Sequence, residues 1–500
     1  MNVSADPCSD FYAFACGSGR VQGFNNQDDP QTAKRDVVKK QLITILSEPV
    51  TNETVLAYTK AKKLYKSCAD TKHREQLGVE PAKKLLTSIG GWPLIDGVNA
   101  CNSSRKCDLS ELVVKVIDVG LISNHLVDVT VLPGISGSNK WTLHASRPSF
   151  NVGTPLAELL KNTFIPDYRE KLKASAELLA DNQKPISRTL DYEVAQIVDF
   201  EVTLNNISKN ENPSKNFTVS ELLSRFSFLP WMAIYNRYLL KGLSDYDVVT
   251  VDDPNYLDDV KEILKSTPNR TVINYVVGRS VLEGMLPFLN SEARILAEPY
   301  GLKNKSIEER CLGFVHESFP LLTTSMYVRQ HIRKEVRDKV VEVVVNIIAE
   351  MKHILQNEAW LDEGSRRAFN TKLEKMTYIV GYPDELLNTA LLNSHFGNVQ
   401  ISDDSLLENS ISISKRMYSR MFAKFNTSVE KLDWDFPITW APFEPESLLN
   451  AQYIHLNVSS HLAAMDITDK VSSQQSVMNS SQRAVKNALQ LTWGYITARV

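Results

Sequence analysis

The sequence predicts a mainly α protein with a few short strands. Apolar residues recur at every third or fourth position along much of the 500-residue chain, whereas the alternating pattern of strands is rare. Hydrophobic residues make up 43% and charged residues 23% of the chain, a composition typical of globular proteins. A length of 500 residues is enough for two or three ordinary domains or one large two-lobed unit.

Five segments define the first part of the chain. Helical spacing predicts helices at 31–47 and 52–67. Clustered or alternating β-branched residues predict strands at 126–135 and 247–253. The polar segment 205–218 lacks either pattern, and we expect an exposed loop there.

Three further helices are predicted towards the C-terminus. Segment 330–355 has the clearest pattern, with charges opposite one apolar stripe. The stripe consists of Val336, Val340, Val344, Ile347, Met351 and Leu355. Segment 366–379 is predicted to stop at Gly381 and Pro383, and segment 404–424 opens on acidic residues suited to helix capping.

Charge and hydropathy argue against two classes of partner. The net charge is −3, with no basic cluster that would mark a nucleic-acid surface or a membrane-binding patch. The longest strongly apolar segment, 340–351, contains two glutamates and is too short to span a bilayer. The opening MNVSADPC lacks the charged and apolar regions of a secretory signal.

The cysteines and sequons nevertheless favour an oxidising compartment. None of the six cysteines forms C-x-x-C, which argues against a zinc ribbon or a thioredoxin-like site. Cys101 and Cys107 bracket a short polar loop in which a local disulfide closes easily, although six unrelated buried thiols are the other interpretation. An oxidising compartment implies a gene product that begins upstream of Met1.

N-x-S/T sequons occur at ten positions and are possible glycosylation sites. They lie at Asn2, Asn52, Asn102, Asn206, Asn216, Asn269, Asn304, Asn426, Asn457 and Asn479. The glycosylation candidates among them are Asn52, Asn102, Asn206, Asn216, Asn269, Asn304 and Asn426.

No motif in the chain provides a catalytic centre by itself. There is no G-x-S-x-G and no phosphate-binding glycine loop. Two histidines on one helix face need i, i+4 spacing, as in His-Glu-x-x-His, but His316-Glu317 continues with Ser-Phe-Pro320. His455 and His461 are six residues apart, a spacing that suits no helix face. The spacing of the histidines therefore does not predict a metal site.

Five segments together resemble the neprilysin family of zinc endopeptidases, which includes the endothelin-converting enzymes. They are DPCSDFYAFACG (6–17), LYKSC (64–68), CLGFVHESFPLLTTSMYV (311–328), WLDEGSRRAFNTKLEKMTYIVGYPDEL (360–386) and LNAQY (449–453). The resemblance covers residues 1–453 in order. Residues 454–500 lack it, and we expect this divergent tail to be poorly packed.

The resemblance implies a two-lobed helical scaffold that is incomplete at its C-terminus. Complete relatives hold zinc on two histidines and a glutamate and cleave small extracellular peptides. This sequence contains no HExxH, and hence no ExxxD downstream of one. We therefore expect a truncated peptidase N-terminal region that is inactive alone and holds no zinc, from a secreted or membrane-anchored ectodomain.

The resemblance also assigns individual residues. It implies a disulfide between Cys68 and Cys311, and a substrate-binding strand that contains Asn450 and Ala451. Cys8 and Cys16 would pair with cysteines of the absent catalytic part, so both are predicted to be unpaired. Eight helical residues would separate them by about 12 Å, too far for a mutual disulfide.

A second hypothesis is that the chain has the same helical scaffold but is not an enzyme. On this interpretation the chain is a secreted glycoprotein that binds peptides or a protein partner through its helical lobe. An unrelated helical scaffold would require the long match at 360–386 to be accidental.

Overall fold

The structure is a computed structural model, and it confirms the mainly α fold. It describes residues 3–6, 8–10, 13–14, 30–50, 55–97, 108–121, 124–134, 140–154, 161–180, 189–210, 212–239, 242–298, 305–375 and 380–429. The described residues divide into two compact units. Unit 1 contains the described parts of Met1–Tyr65 and Ile307–Asn398, and unit 2 those of Lys66–Ser306 and 399–435.

The described helices are numbered in chain order. They are α1 (Pro30–Ser47), α2 (Leu56–Ala69), α3 (Thr71–Leu77), α4 (Glu80–Ile89), α5 (Pro93–Asp96), α6 (Leu109–Val119), α7 (Lys161–Leu179), α8 (Leu190–Ile207), α9 (Val219–Arg225), α10 (Trp231–Tyr238), α11 (Pro254–Ser266), α12 (Asn269–Gly284), α13 (Ser291–Ala297), α14 (Ile307–Ser318), α15 (Pro320–His331), α16 (Lys334–Asn357), α17 (Glu363–Lys375), α18 (Thr389–Phe396) and α19 (Leu406–Ala423). Short 3₁₀ turns lie at Asn151–Gly153, Leu286–Phe288 and Asp384–Leu387. None of these described helices is long and apolar enough to cross a membrane.

Unit 1 is built around α1, α14 and α15, which pack on one another. Pro320 occupies the first turn of α15, because a proline there sacrifices no helical hydrogen bond. Buried polar contacts join the surrounding elements: the hydroxyls of Tyr58 and Ser325 lie 2.6 Å apart, and Ser325 donates to the Leu386 carbonyl at 2.7 Å. The Leu321–Val328 stretch of α15 is buried throughout.

The core of unit 2 surrounds α12. Every residue from Thr271 to Leu282 in this helix is buried, and α5, α6, α7, α8 and α13 pack against it. The aromatic rings of Phe200 and Tyr275 meet edge-to-face with centroids 5.1 Å apart. A helix buried on all sides has no amphipathic stripe, which is why helical periodicity in the sequence did not predict α12.

Unit 2 also contains a four-stranded sheet in the order β1-β2-β4-β3. Its strands are β1 (Asp128–Pro133), β2 (Trp141–Ser146), β3 (Lys215–Thr218) and β4 (Val248–Val251). β2 and β4 are parallel, whereas the two outer pairs are antiparallel. The register aligns Val131, Leu143, Val249 and Phe217 in one buried row across the sheet. This apolar row fixes the register.

Several predicted boundaries were wrong. The expected loop 205–218 begins in the last turn of α8 and ends as β3, because Asn216 and Phe217 pair with β4. The predicted helix 330–355 is broken between His331 and Lys334, so its first residues belong to α15. The sequence signals for β2 and α12 were missed.

The N-cap of α19 is also different from the expected one. Ser405, rather than the preceding acidic residues, accepts a hydrogen bond from the Glu408 amide at 3.4 Å. A serine hydroxyl directly before the first turn satisfies an otherwise unpaired helix N–H. The predicted helices at 31–47, 366–379 and 404–424 otherwise correspond to α1, α17 and α19.

Candidate functional site

Many of the predicted site residues lie outside the described residues. They are Cys16, Cys101, Cys107, Asn52, Asn102, Asn304, Asn450, Ala451 and the tail 454–500. The substrate-strand assignment, the local disulfide and the tail packing therefore stay predictions. The described candidates are the other cysteines and four of the sequons.

Cys68 and Cys311 are both disulfide-bonded and buried, with 6% and 0% of their surface exposed. Cys68 lies in the last turn of α2, and Cys311 lies in α14. Cys8 is exposed and is a free thiol in the structure. A disulfide is thus present, while the pairing of Cys68 with Cys311 and the unpaired state of Cys8 and Cys16 in solution stay predictions.

The four described sequons all expose their asparagine. Asn206 lies in the last turn of α8, Asn216 in β3, Asn269 at the start of α12, and Asn426 just after α19. The Asn216 amide oxygen accepts from Thr250 at 2.9 Å, and that of Asn426 accepts from Lys140 at 2.9 Å. These four positions are accessible, and their glycosylation stays a prediction.

His316 does not form a metal-binding pair with Glu317. Its Nδ1 lies 2.6 Å from the Thr323 hydroxyl of α15, and the ring is half-buried. Glu317 is exposed, and neighbouring positions of a helix point in different directions.

Other described histidines are also engaged in local structure. The buried His125 places Nε2 3.0 Å from the Ser280 hydroxyl, and burial lowers the pKa of its ring well below the ordinary value. His144 contacts Asp252 through Nδ1 and Thr142 through Nε2. In the part of the chain that the structure describes, no three His, Cys, Asp or Glu residues converge as a metal site would require.

A buried charged cluster in unit 2 was not predicted. The Glu201 carboxylate of α8 accepts from the Tyr168 hydroxyl and from the Asn151 amide, each at 2.7 Å. Arg279 of α12 donates to Glu283 at 2.7 Å and to the Ser149 carbonyl at 2.9 Å. An arginine in the apolar run VVGRSV was the sequence signal, because an arginine is rarely buried without a partner.

The electrostatics of this cluster follow from its burial. Burial raises the pKa of Glu201, and the opposing influences of Arg279, Tyr168 and the Asn151 amide do not cancel it. Burial alone would lower the pKa of Arg279, but Tyr275, Glu283 and Glu201 raise it well above the ordinary value. Through its hydrogen bonds with Tyr168 and Asn151, the Glu201 carboxylate connects α8 to α7 and to the 3₁₀ turn at Asn151. The cluster therefore has a structural role.

The comparisons with known proteins identify the family. Residues 7–383 match the family model described as peptidase family M13. The chain belongs to peptidase family M13. This match confirms the resemblance to the neprilysin family, and relatives named neprilysin and endothelin-converting enzyme align with the chain.

The M13 relatives are longer than this chain. Neprilysin-2 of Drosophila melanogaster is 25% identical over 467 residues, which cover 87% of this chain and 59% of the relative. Endothelin-converting enzyme-like 1 of Homo sapiens is 24% identical over 475 residues, which cover 91% of this chain and 59% of the relative. The chain thus spans somewhat more than half the length of these relatives.

Solved structures share the M13 fold. The open state of the zinc metalloprotease Zmp1 of Mycobacterium tuberculosis superposes with a TM-score of 0.70 at 17% identity, covering 90% of this chain and 68% of Zmp1. PepO of Lactobacillus gives a TM-score of 0.68 at 16% identity, covering 90% of this chain and 69% of PepO. At these identities the likeness concerns the fold alone.

Zinc, the metal of the family, does not fit the described residues of this M13 chain. A zinc centre needs three convergent protein ligands with a fourth position open to water. His125, His144 and His316 instead contact hydroxyl or carboxylate groups of their own surroundings, and they lie on separate elements. No catalytic step is assigned to them.

Proposed function

We propose that this chain is the N-terminal helical part of a neprilysin-like zinc metalloendopeptidase and does not cleave peptides alone. One observation carries the proposal: the chain belongs to peptidase family M13, yet its 500 residues contain no HExxH. Without that motif no helix offers paired imidazoles and an adjacent glutamate to activate water. Small extracellular peptides are the proposed substrates of the complete protein.

The exposed surface of α16 supports the need for a further region. Of its 24 residues only Leu355 is buried, and three residues that share one face of the helix, Val336, Val343 and Ile354, are 38%, 52% and 40% exposed. Among the described elements α16 packs mainly on α17, which is itself polar. We propose that the zinc-binding part found in longer M13 peptidases covers this apolar surface, which a soluble protein seldom leaves open.

An extracellular location is part of the proposal. The disulfide-bonded state of Cys68 and Cys311 supports an oxidising compartment. The exposure of the four described sequons is compatible with glycans at these positions.

Zinc content and peptidase activity test the proposal directly. We would secrete the 500-residue chain from animal cells behind a heterologous signal and measure its zinc by mass spectrometry. Cleavage of an internally quenched peptide would be followed with and without phosphoramidon, with Neprilysin-2 assayed in parallel. We expect no stoichiometric zinc and no cleavage above background.

One zinc per chain together with phosphoramidon-sensitive cleavage would contradict the proposal. In that case His316→Ala would decide whether the chain's one His-Glu pair is responsible. His73→Ala is the matched control, because the His73 ring is also half-buried and also makes one hydrogen bond, with Nε2 2.8 Å from the Asp404 carbonyl.

The second candidate function is a secreted non-catalytic glycoprotein that binds peptides or a protein partner. The same α16 surface favours it, since an apolar helix face is the usual docking site for an amphipathic helix. A stable complex of the purified chain that is weakened by Val343→Asp, in the absence of any zinc-binding region, would favour this candidate.

A further inference from the structure

A hollow in unit 2 has an apolar lining and a sequon at its rim. Its volume is about 110 Å³, and its described lining consists of Leu109, Phe228, Leu264, Asn269, Val272 and Ile273. Val272 and Ile273 are buried, whereas Phe228, Leu109 and Leu264 are only half-covered. Five of the six lining residues are apolar, so water gains few hydrogen bonds in this hollow.

Asn269 is the polar member of that lining, and it begins the sequon Asn269-Arg270-Thr271. Its side chain is exposed, and no described residue hydrogen-bonds to its amide. Asn216 and Asn426, by contrast, already use their amide oxygens in contacts with Thr250 and Lys140. The Asn269 amide is therefore available at the edge of an apolar surface.

The attachment point is also rigid. Arg270 donates to Glu193 at 2.8 Å, to the Pro93 carbonyl at 2.7 Å and to the Gly97 carbonyl at 3.1 Å. These bonds hold the first turn of α12 in place, so a group attached to Asn269 would have a restricted range of positions. Restricting a ligand beforehand lowers the entropy lost when it packs.

We propose that Asn269 carries an N-linked glycan whose first N-acetylglucosamine packs into this hollow. The proposal rests on the extracellular location proposed above. A pyranose ring has one face of C–H groups and an edge of hydroxyls. The C–H face can cover the Phe228 ring, Leu264 and Leu109, while the hydroxyls remain in water.

The burial of Thr271 determines when the glycan is added. Thr271 is 6% exposed within the packed α12, and the transferase must recognise this residue together with Asn269. Transfer therefore takes place on the nascent chain, before α12 packs. The folded, unglycosylated chain is not a substrate for the modification.

The test is made on the full chain secreted from cells that add only high-mannose glycans. Glycopeptide mass spectrometry shows which of Asn206, Asn216, Asn269 and Asn426 are occupied. Endoglycosidase H leaves one N-acetylglucosamine on each site, whereas peptide-N-glycosidase F hydrolyses the side-chain amide, which removes the whole glycan and leaves an aspartate at each site. We expect Asn269 to be occupied and the melting temperature to fall with the second enzyme but not with the first.

A thermodynamic cycle isolates the contact with the hollow. Asn269→Gln should lower the melting temperature by roughly 2–4 °C in the wild-type background and by much less in a Phe228→Ala background. Asn206→Gln is the matched control, because Asn206 is an exposed sequon asparagine that is not part of the hollow lining.

Each contrary result has a distinct meaning. Glycans at the other sequons but not at Asn269, equal melting temperatures after the two enzymes, or additive effects of Asn269→Gln and Phe228→Ala would each overturn this inference. Absence of glycan from every sequon of the secreted chain would overturn both this inference and the proposed extracellular glycoprotein.

Discussion

The ionisation of Glu201 is coupled to the folding of unit 2. Its carboxylate lies among Tyr168, Arg279 and Glu283, and burial raises its pKa above the ordinary value of 4.5. A raised carboxyl pKa means that the folded state binds a proton more tightly than the unfolded state. The stability from this group is fully present below about pH 4.5 and is lost as the pH rises through the folded pKa.

We predict that Glu201→Gln removes this decline. Glutamine stays neutral at every pH and retains an oxygen that can accept the Asn151 amide. Urea unfolding from pH 4 to pH 8 measures the free energy of unfolding. We expect this free energy to fall more steeply with rising pH in the wild type than in the Glu201→Gln variant. Asp128, whose pKa is also raised by burial, contributes equally to both proteins.

Glu221→Gln is the control with the opposite sign. Hydrogen bonds from the Thr218 amide and hydroxyl lower the pKa of Glu221. Its contribution is present above its ordinary pKa and is lost as the pH falls. In the Glu221→Gln variant, the free energy of unfolding should still fall above pH 4.5 as it does in the wild type. A Glu201→Gln protein with the full wild-type pH dependence would contradict the role assigned to Glu201.

At the scale of elements, α12 and α16 have similar runs of valine but opposite surroundings. Val276 and Val277 of α12 are 1% and 0% exposed, whereas Val343 and Val345 of α16 are 52% and 44% exposed. Burial of α12 by five neighbouring helices makes it the core of unit 2. The α16 surface contributes little to the stability of the described chain.

We predict that Val277→Asp and Val343→Asp differ sharply. An unpaired carboxylate in the α12 core should cost at least about 3 kcal/mol and prevent stable folding. The same change on α16 should stay within about 0.5 kcal/mol. The midpoint of urea unfolding measures both. A large loss in Val343→Asp would mean that α16 is covered within this chain.

At the scale of the whole molecule, the cysteines define a testable link. Cys68 and Cys311 are both disulfide-bonded. If they pair with each other, they close a loop of about 240 residues and restrict the unfolded chain by roughly 4–5 kcal/mol. We predict a single linked peptide that contains both residues after digestion without reductant.

Cys311→Ala should lower the free energy of unfolding by about that amount. Cys8→Ala is the matched control and should leave it unchanged, because Cys8 is an exposed free thiol. A peptide that links either half-cystine to Cys101 or Cys107 instead would show that the predicted pairing is wrong.

The candidate site was only partly predictable from the sequence. The absence of HExxH is a property of the sequence itself. The Glu201–Arg279 cluster was missed because its members come from α8 and α12, which lie far apart in sequence. The hollow beside Asn269 was missed for the same reason: Leu109, Phe228 and Leu264 belong to separate segments.

The sequence by itself determined the helical class and the family. Local spacing produces α1, α17 and α19, and motifs such as WLDEGSRRAF mark peptidase family M13 regardless of packing. Only the tertiary structure decided which helix lies inside and which strands pair. Periodicity predicts that a helix has an apolar face, but burial depends on contacts between distant segments. For this reason α12 became the core, while the more regular stripe of α16 is fully buried only at Leu355.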